Sequence, residues 1–536
     1  MNYHFAAVCV IALSMAACGS GHEEKNQQKQ TMDMTTVDIT PPLYESVANA
    51  SPPPLAASSV YPIANEQYNS LVENEFKSSK ANPLSTFAID VDGASYANVR
   101  RMLMEGYLPP SDAVRTEEFI NYFSYTYPQP TNGQPFSINS EYSTCPWNSQ
   151  HQLLQIGIKG KEVDLKSAPN NNLVFLIDVS GSMDEPDKLP LLKRAFKLLV
   201  NQLREDDQVS IVVYAGNAGV VLDGADGDEP EKIINAFDQL QAGGSTAGGE
   251  GIELAYKLAK DHFIKKGNNR IILATDGDFN VGMSSQNELE KLIEEKREEG
   301  IYLSVFGFGQ GNIQDNIMET LADKGNGNYN YIDNFMEARK VLVSQFGGTL
   351  ITIAKDVKIQ VEFNPQLVKE YRLIGYENRA LNAEDFNDDK KDAGEIGSGH
   401  CVTALYEIIP FGSTDSKVNV DDLKYRSVNT NPTEVATVKF RYKGVNKKDT
   451  TSQLLSKAIH AEDFKYNTSP NLKLAAGVTE FAMLLRDSKH KQKASFEQSI
   501  ALVSAAKAND SEGYITGLIE MIKIAKELKV NPEHLH

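Results

Sequence analysis

Three short stretches carry oxygen-bearing side chains at spacings suited to a hard cation. Asp178-Val179-Ser180-Gly181-Ser182 is a D-x-S-x-S turn that gathers three oxygens, with Gly181 expected to permit the bend between the serines. Gly243-Gly244-Ser245-Thr246 is a glycine-rich loop bearing two hydroxyls ahead of a helical stretch, and Thr275-Asp276-Gly277 adds a second carboxylate. Hydroxyls and carboxylates without His or Cys suit Mg²⁺, with Mn²⁺ as the alternative, because these ions take octahedral oxygen coordination and keep several waters. Nothing in the set favours zinc. Ser and Asp are also ordinary helix N-caps, so a lone D-x-S-x-S says little, and Ser182 can serve both purposes.

The elements that must position these groups are legible on either side of them. LVFLID (173–178), VSIVVY (209–214), IILAT (271–275) and IYLSVF (301–306) are β-branched apolar runs of strand length. Between them lie helical patterns, such as Leu191, Leu192, Ala195, Leu198, Leu199 and then Ile252, Ala255, Leu258, Ala259. Strands alternating with helices at this spacing predict an α/β fold, a doubly wound and mostly parallel sheet covered on both faces. Such sheets bind ligands at the carboxyl ends of their strands, where the strand order reverses. Asp178 and Asp276 both stand at strand ends.

DVSGS, GGST and TDG, in that order on alternating α/β elements, resemble the von Willebrand factor type A (vWA) domain and its metal-ion-dependent adhesion site. The resemblance implies that Ser180, Ser182 and Thr246 ligate Mg²⁺, with Ser245 the alternative hydroxyl. It implies that Asp178 and Asp276 hold the metal directly or through water, and that the remaining coordination position accepts a carboxylate from a protein partner. The flanks are similar to bacterial lipoproteins in which a short unit carrying FAIDVD (87–92) and RTEEFINYF (115–123) precedes the vWA domain. In those proteins a C-terminal domain of uncharacterised function follows it.

The rest of the chain divides accordingly. Residues 1–17 have a short apolar run ending in small residues before Cys18, an export signal too short to span a membrane. It resembles a lipoprotein signal, which implies a lipid anchor on Cys18 and a place at the outer membrane, on its periplasmic or its surface face. Residues 18–82, rich in Gln, Ser, Thr, Asn and Pro, are expected to form a disordered tether. An α+β region is expected over 83–165, the vWA domain over 166–350, a β-rich region over 351–450 and a helical region over 451–536. The strands in each flank are too few for an independent sheet, so the two flanks are predicted to combine into one β-sandwich.

A net charge of -19 disfavours nucleic acid as a partner. Asp90-Val91-Asp92-Gly93 resembles the nucleophile motif of haloacid-dehalogenase-type phosphatases, which would make Asp90 and Asp92 catalytic with Mg²⁺. The surrounding α/β sheet and the downstream acids of that family cannot be placed, and no Ser-His-Asp or Cys-His arrangement can be assembled. A binding protein, without turnover, is therefore the expectation. The acidic stretches 223–231 and 385–392 read as solvated loops, and GFGQG (307–311) as a βα turn. Cys145 and Cys401, one in each flank, are candidates for a disulfide in an oxidising compartment.

Overall fold

The computed structural model describes residues 66–530, apart from 90–91, 132, 165, 167, 245–247, 278–285, 392, 419–432 and 446–450. Cys18, Ser245, Thr246 and Asp90 therefore lie outside the described residues, as does most of the stretch read as a tether.

The N-terminal flank runs through β1 (Lys77–Ser78), β2 (Leu84–Ala88), helices α1 (Ala94–Met104) and α2 (Thr116–Asn121), and the hairpin of β3 (Phe136–Cys145) and β4 (Asn148–Gly160). The central stretch begins β5 (Asn171–Asp178), α3 (Leu189–Val200), β6 (Gln208–Tyr214), β7 (Ala218–Asp226), α4 (Pro230–Asp238) and α5 (Gly248–Asp261). It continues with β8 (Asn268–Thr275), α6 (Gln286–Glu299), β9 (Ile301–Phe308), α7 (Asp315–Lys324) and β10 (Tyr329–Ile332). It closes with α8 (Phe335–Arg339), a π-helical turn (Lys340–Ser344) and α9 (Phe346–Leu350). The C-terminal flank has β11 (Thr352–Phe363), β12 (Val368–Ile374), β13 (Ala380–Leu381), β14 (Gly394–Gly397), β15 (Cys401–Pro410), β16 (Glu434–Lys443) and β17 (Gln453–His460). Helices α10 (Pro470–Leu485), α11 (Phe496–Ser504) and α12 (Tyr514–Val530) end it.

The central sheet has the order β10-β9-β8-β5-β6-β7, parallel except for the antiparallel edge strand β7. Successive side chains of a strand point to opposite faces. Leu173, Phe175 and Ile177 of β5 accordingly enter one core with α3 and α4, while Val174 and Leu176 enter another with α5, α6 and α7. The chain proceeds outward from β5 to β6 and β7, then crosses back to β8 and proceeds outward the other way. The strand order reverses between β5 and β8, so the crevice lies over their carboxyl ends.

Both flanks contribute to a sandwich. One sheet is β1-β12-β15-β4-β3 and the other is β13-β2-β11-β16-β17, with β14 pairing on β11. Phe87 of β2 and Val361 of β11 face Ile156 and Ile158 of β4 and Tyr406 of β15 in one apolar core. The outer side of the first sheet carries Leu153 and Leu405 into a separate core with Trp147, α1, α2 and the three C-terminal helices. The pairing of the two flanks predicted from strand counting is thus present.

Four local expectations are corrected. Residues 66–82, read as the end of the tether, are part of the fold, with β1 paired to β12 and the Gln67 N–H on Ile313 O. Helix was expected from about 451, but residues 453–460 form the edge strand β17, paired to β16, and helix begins at Pro470. The acidic stretch 223–231 is not all loop, because β7 runs to Asp226 and α4 starts at Pro230. Cys145 and Cys401 are both free thiols. Cys145 sits opposite Asn148 and Cys401 opposite Lys159, at the two ends of β4. At about 3.3 Å per residue this separates them by roughly 36 Å along the strand, whereas a disulfide needs Cα atoms within about 7 Å.

Candidate metal centre

Asp178 is the last residue of β5 and is fully buried. Its Oδ1 accepts the Ser180 N–H at 2.8 Å, which curls the chain so that the Ser180 and Ser182 hydroxyls lie 3.1 Å apart. Its Oδ2 faces the Thr275 hydroxyl at 3.4 Å, and Thr275 Oγ1 in turn accepts the Gly277 N–H at 3.2 Å. This pairing follows from register: Ile177 of β5 lies opposite Ala274 of β8, which sets Asp178 beside Thr275. Tyr214, buried at the end of β6, lies opposite Asp178 on its other side.

The glycine loop is tied to the first stretch by its backbone. Gly243 N–H donates to Val179 O at 2.7 Å, and Gly181 N–H donates to Gly244 O at 3.1 Å. Thr246, expected to be a ligand, lies outside the described residues. Gly181 does not take a left-handed conformation, and a Cβ there would make only ordinary contact with Gly244 O at 3.6 Å. Its role is the backbone bond across the loops, not the sharp bend expected of it. The conformational need falls instead on Gly277, whose φ is 105° and whose Cβ would lie 2.8 Å from Asn312 O.

Asp276 follows β8 and is fully buried. Its Oδ2 accepts a hydrogen bond from Lys188 Nζ at 2.8 Å, and the Ser182 hydroxyl and the Asn312 side chain also support the carboxylate. Four of the five expected ligands, Asp178, Ser180, Ser182 and Asp276, are thereby linked in one chain of contacts. Burial, reinforced by the charge of Asp276, pushes the Asp178 carboxyl up to about 6 against the hydrogen bonds from Ser180. Burial acts upward on Asp276 too, but the Lys188 hydrogen bond and charge, with those of Ser182 and Asn312, hold it below the usual carboxylate range.

These residues fit a hard divalent cation. Two buried carboxylates lie here and one of them, Asp276, is paired with an ammonium, which leaves negative charge in a place water does not solvate well, and every candidate donor is an oxygen. Among the described residues no group of three or more His, Cys, Asp or Glu side chains could hold a metal. A cation here would depend on hydroxyls and water for most of its coordination.

Sequence reasoning did not find Lys188, Thr275, Tyr214 or Asn312. Lys188 had a signal: it stands at the N-cap of α3, where the helix dipole disfavours a cation, so some carboxylate had to offset it. The phosphatase reading meets a different context. β2 lies in an antiparallel sheet, and Asp92 is buried with Oδ1 accepting the Tyr329 N–H at 2.9 Å and Oδ2 near Arg379 at 3.6 Å. Of the acidic stretches, Asp223 bonds His262 at 2.6 Å and the carbonyls of Asp385 and Asp388 receive Lys358.

The doubly wound sheet and the loops over its switch point define a vWA protein. Residues 172–344 match the von Willebrand factor type A domain family, and residues 62–155 match a second family described as von Willebrand factor. Residues 348–528 match the family described as uncharacterized protein YfbK, C-terminal. The chain is 43% identical over 475 residues to the uncharacterized protein YfbK of Escherichia coli (strain K12), covering 86% of this chain and 81% of that protein; it belongs to the YfbK family. A shorter likeness, 28% identity over 164 residues, is to inter-alpha-trypsin inhibitor heavy chain H3 of Mus musculus, covering 29% of this chain and 18% of that one. Among solved structures, a von Willebrand factor type A protein from Catenulispora acidiphila aligns with a TM-score of 0.41 at 15% identity, over 76% of this chain and 98% of that chain.

Proposed function

We propose that this chain is an exported, lipid-anchored envelope protein whose vWA domain binds an acidic group of a protein partner through Mg²⁺, without turnover. The vWA domain is a protein-interaction and adhesion-type module. The observation that carries the finer reading is the convergence of Asp178, Ser180, Ser182 and Asp276 over the switch point between β5 and β8. Thr246 is assigned as the fifth ligand, Mn²⁺ as the alternative ion, and Cys18 as the lipidated residue at the outer membrane. The bound ion supplies a Lewis-acidic position for a carboxylate, and the chain's own part is to hold the oxygens and exclude competing donors. A protein of net charge -19 gains no long-range attraction to an acidic partner, so the cation must bridge two like-charged surfaces.

The test is thermal. Mg²⁺ or Mn²⁺ at about 100 times the dissociation constant should stabilise the protein by about 2.7 kcal/mol. Asp178→Ala should lose that shift, and an equal shift in variant and wild type would place the metal elsewhere. Capture of a partner from envelope extracts should vanish in EDTA and weaken with Thr246→Ala. Capture that survives both would favour a second reading, an assembly or scaffold factor acting through the flanks. That reading is supported by the extent of the likeness to YfbK, which spans the sandwich and helices as well as the vWA domain.

A further inference from the structure

We infer that Lys188 is a built-in cation that competes with the divalent ion for Asp276 and makes the metal-loaded site demand a carboxylate. The inference rests on the metal reading above and adds a residue that this reading does not use.

The lysine is held in place by construction. Its side chain is only 8% exposed, and its ammonium donates to Asp276 Oδ2 at 2.8 Å. Its stem passes over Gly309, where a Cβ would lie 2.3 Å from Lys188 Cε and 2.5 Å from Cγ. Gly309 has a φ of 73°, so the turn after β9 both needs glycine and leaves the groove that the stem occupies. A lysine at the start of α3 is opposed by the helix dipole. Asp276 supplies the compensating attraction, and a salt bridge this buried is not a loose surface pair.

Charge counting gives the consequence. Asp178 and Asp276 contribute two negative charges and Lys188 one positive, so the metal-free site is left with one negative charge. A divalent ion turns that into one positive charge, and one partner carboxylate returns the site to neutrality. Without the lysine, two carboxylates and a divalent ion are already neutral, and the ion would bind well alone. Lys188 thus weakens the ion by itself and strengthens the carboxylate's hold on the loaded site. Such coupling is reciprocal: a carboxylate must raise the affinity for the metal by the same factor by which the metal raises the affinity for the carboxylate.

The experiment measures Mn²⁺ binding by electron paramagnetic resonance and calorimetry on the intact folded chain, with no partner present. Lys188→Met and Lys188→Gln should each bind Mn²⁺ about tenfold or more tightly than the wild type, since a like charge beside the ion has been removed. The glutamine variant can keep a hydrogen bond to Asp276 without the charge, so agreement between the two assigns the effect to charge and guards against one variant folding badly. Acetate should bind the Mn²⁺-loaded wild type more tightly than either loaded variant, whose site lacks the lysine's positive charge. Unchanged or weaker Mn²⁺ affinity in both variants overturns the role of Lys188 while leaving the metal site standing. The double variant Ser180→Ala, Ser182→Ala separates the two failures: if it binds Mn²⁺ as the wild type does, or if the wild type binds none, the metal reading itself falls and the inference with it.

Discussion

Glu480 of α10 is a fully buried carboxyl, and among the described residues neither of its oxygens has a hydrogen-bond partner. Burial pushes it up to about 8. In the unfolded chain it titrates near 4.5, so between about pH 4.5 and 8 only the folded state keeps the proton. Unfolding then releases a proton, and stability falls as pH rises through that window. Buried Lys340 acts oppositely, its ammonium pushed down to about 7 by burial, so that stability rises with pH above that value. Comparing Glu480→Gln with the wild type isolates the carboxyl. The variant should be the more stable of the two at pH 8, by on the order of 2–4 kcal/mol in urea unfolding, with the gap closing by pH 5. A gap that does not change with pH would mean that Glu480 finds a partner when ionised.

At the scale of elements, the central sheet was legible because each of its strands carries one pattern for one environment. LVFLID is apolar at every position before its Asp, as a strand buried on both faces must be, and Asp178 marks the point where it ends. The loops of the candidate site were legible for the same reason: they begin where those runs stop. β17 was not legible, because an edge strand that exposes Leu454 has no alternation with a buried face to enforce it. Lys188 was missed as a partner of Asp276 because a sequence separation of 88 hides a contact that only the sheet order creates. The same order presses the Asp276-Gly277 turn against residues 312–314. Gly277→Ala should therefore lower stability by roughly 2 kcal/mol or more, since its φ of 105° and the 2.8 Å approach to Asn312 both oppose a Cβ. A thermal shift assay would read a drop of several degrees, and an unchanged melting temperature would show that the two turns can part freely.

For the molecule as a whole, the vWA domain leaves one sheet of the sandwich and returns to the other, entering from β4 and leaving into β11. Buried and half-buried ion pairs and hydrogen bonds fix it there. Arg115 bonds Asp315 at the start of α7, Arg379 bonds Asp323 at 2.6 Å, and Arg100 reaches both Asp333 and Glu337. The first described residues join the same frame, with Gln67 N–H on Ile313 O at 2.9 Å and Glu66 on Arg101 at 2.8 Å. Gln67 is thereby fastened to the loop that also meets Gly277. The sandwich cannot be divided at the vWA domain, because among the described residues β2 pairs only with β11 and β13, and β4 loses β15 if the C-terminal flank is removed. The strands of the central sheet, by contrast, pair only with one another among the described residues. A chain ending at residue 350 should therefore show protease cleavage throughout 77–160 while residues 171–344 stay protected. In the full chain both stretches should resist together. Protection of 77–160 in the shortened chain would mean that the N-terminal flank folds alone, and the two-flank sandwich would not be the unit on which the vWA domain is mounted.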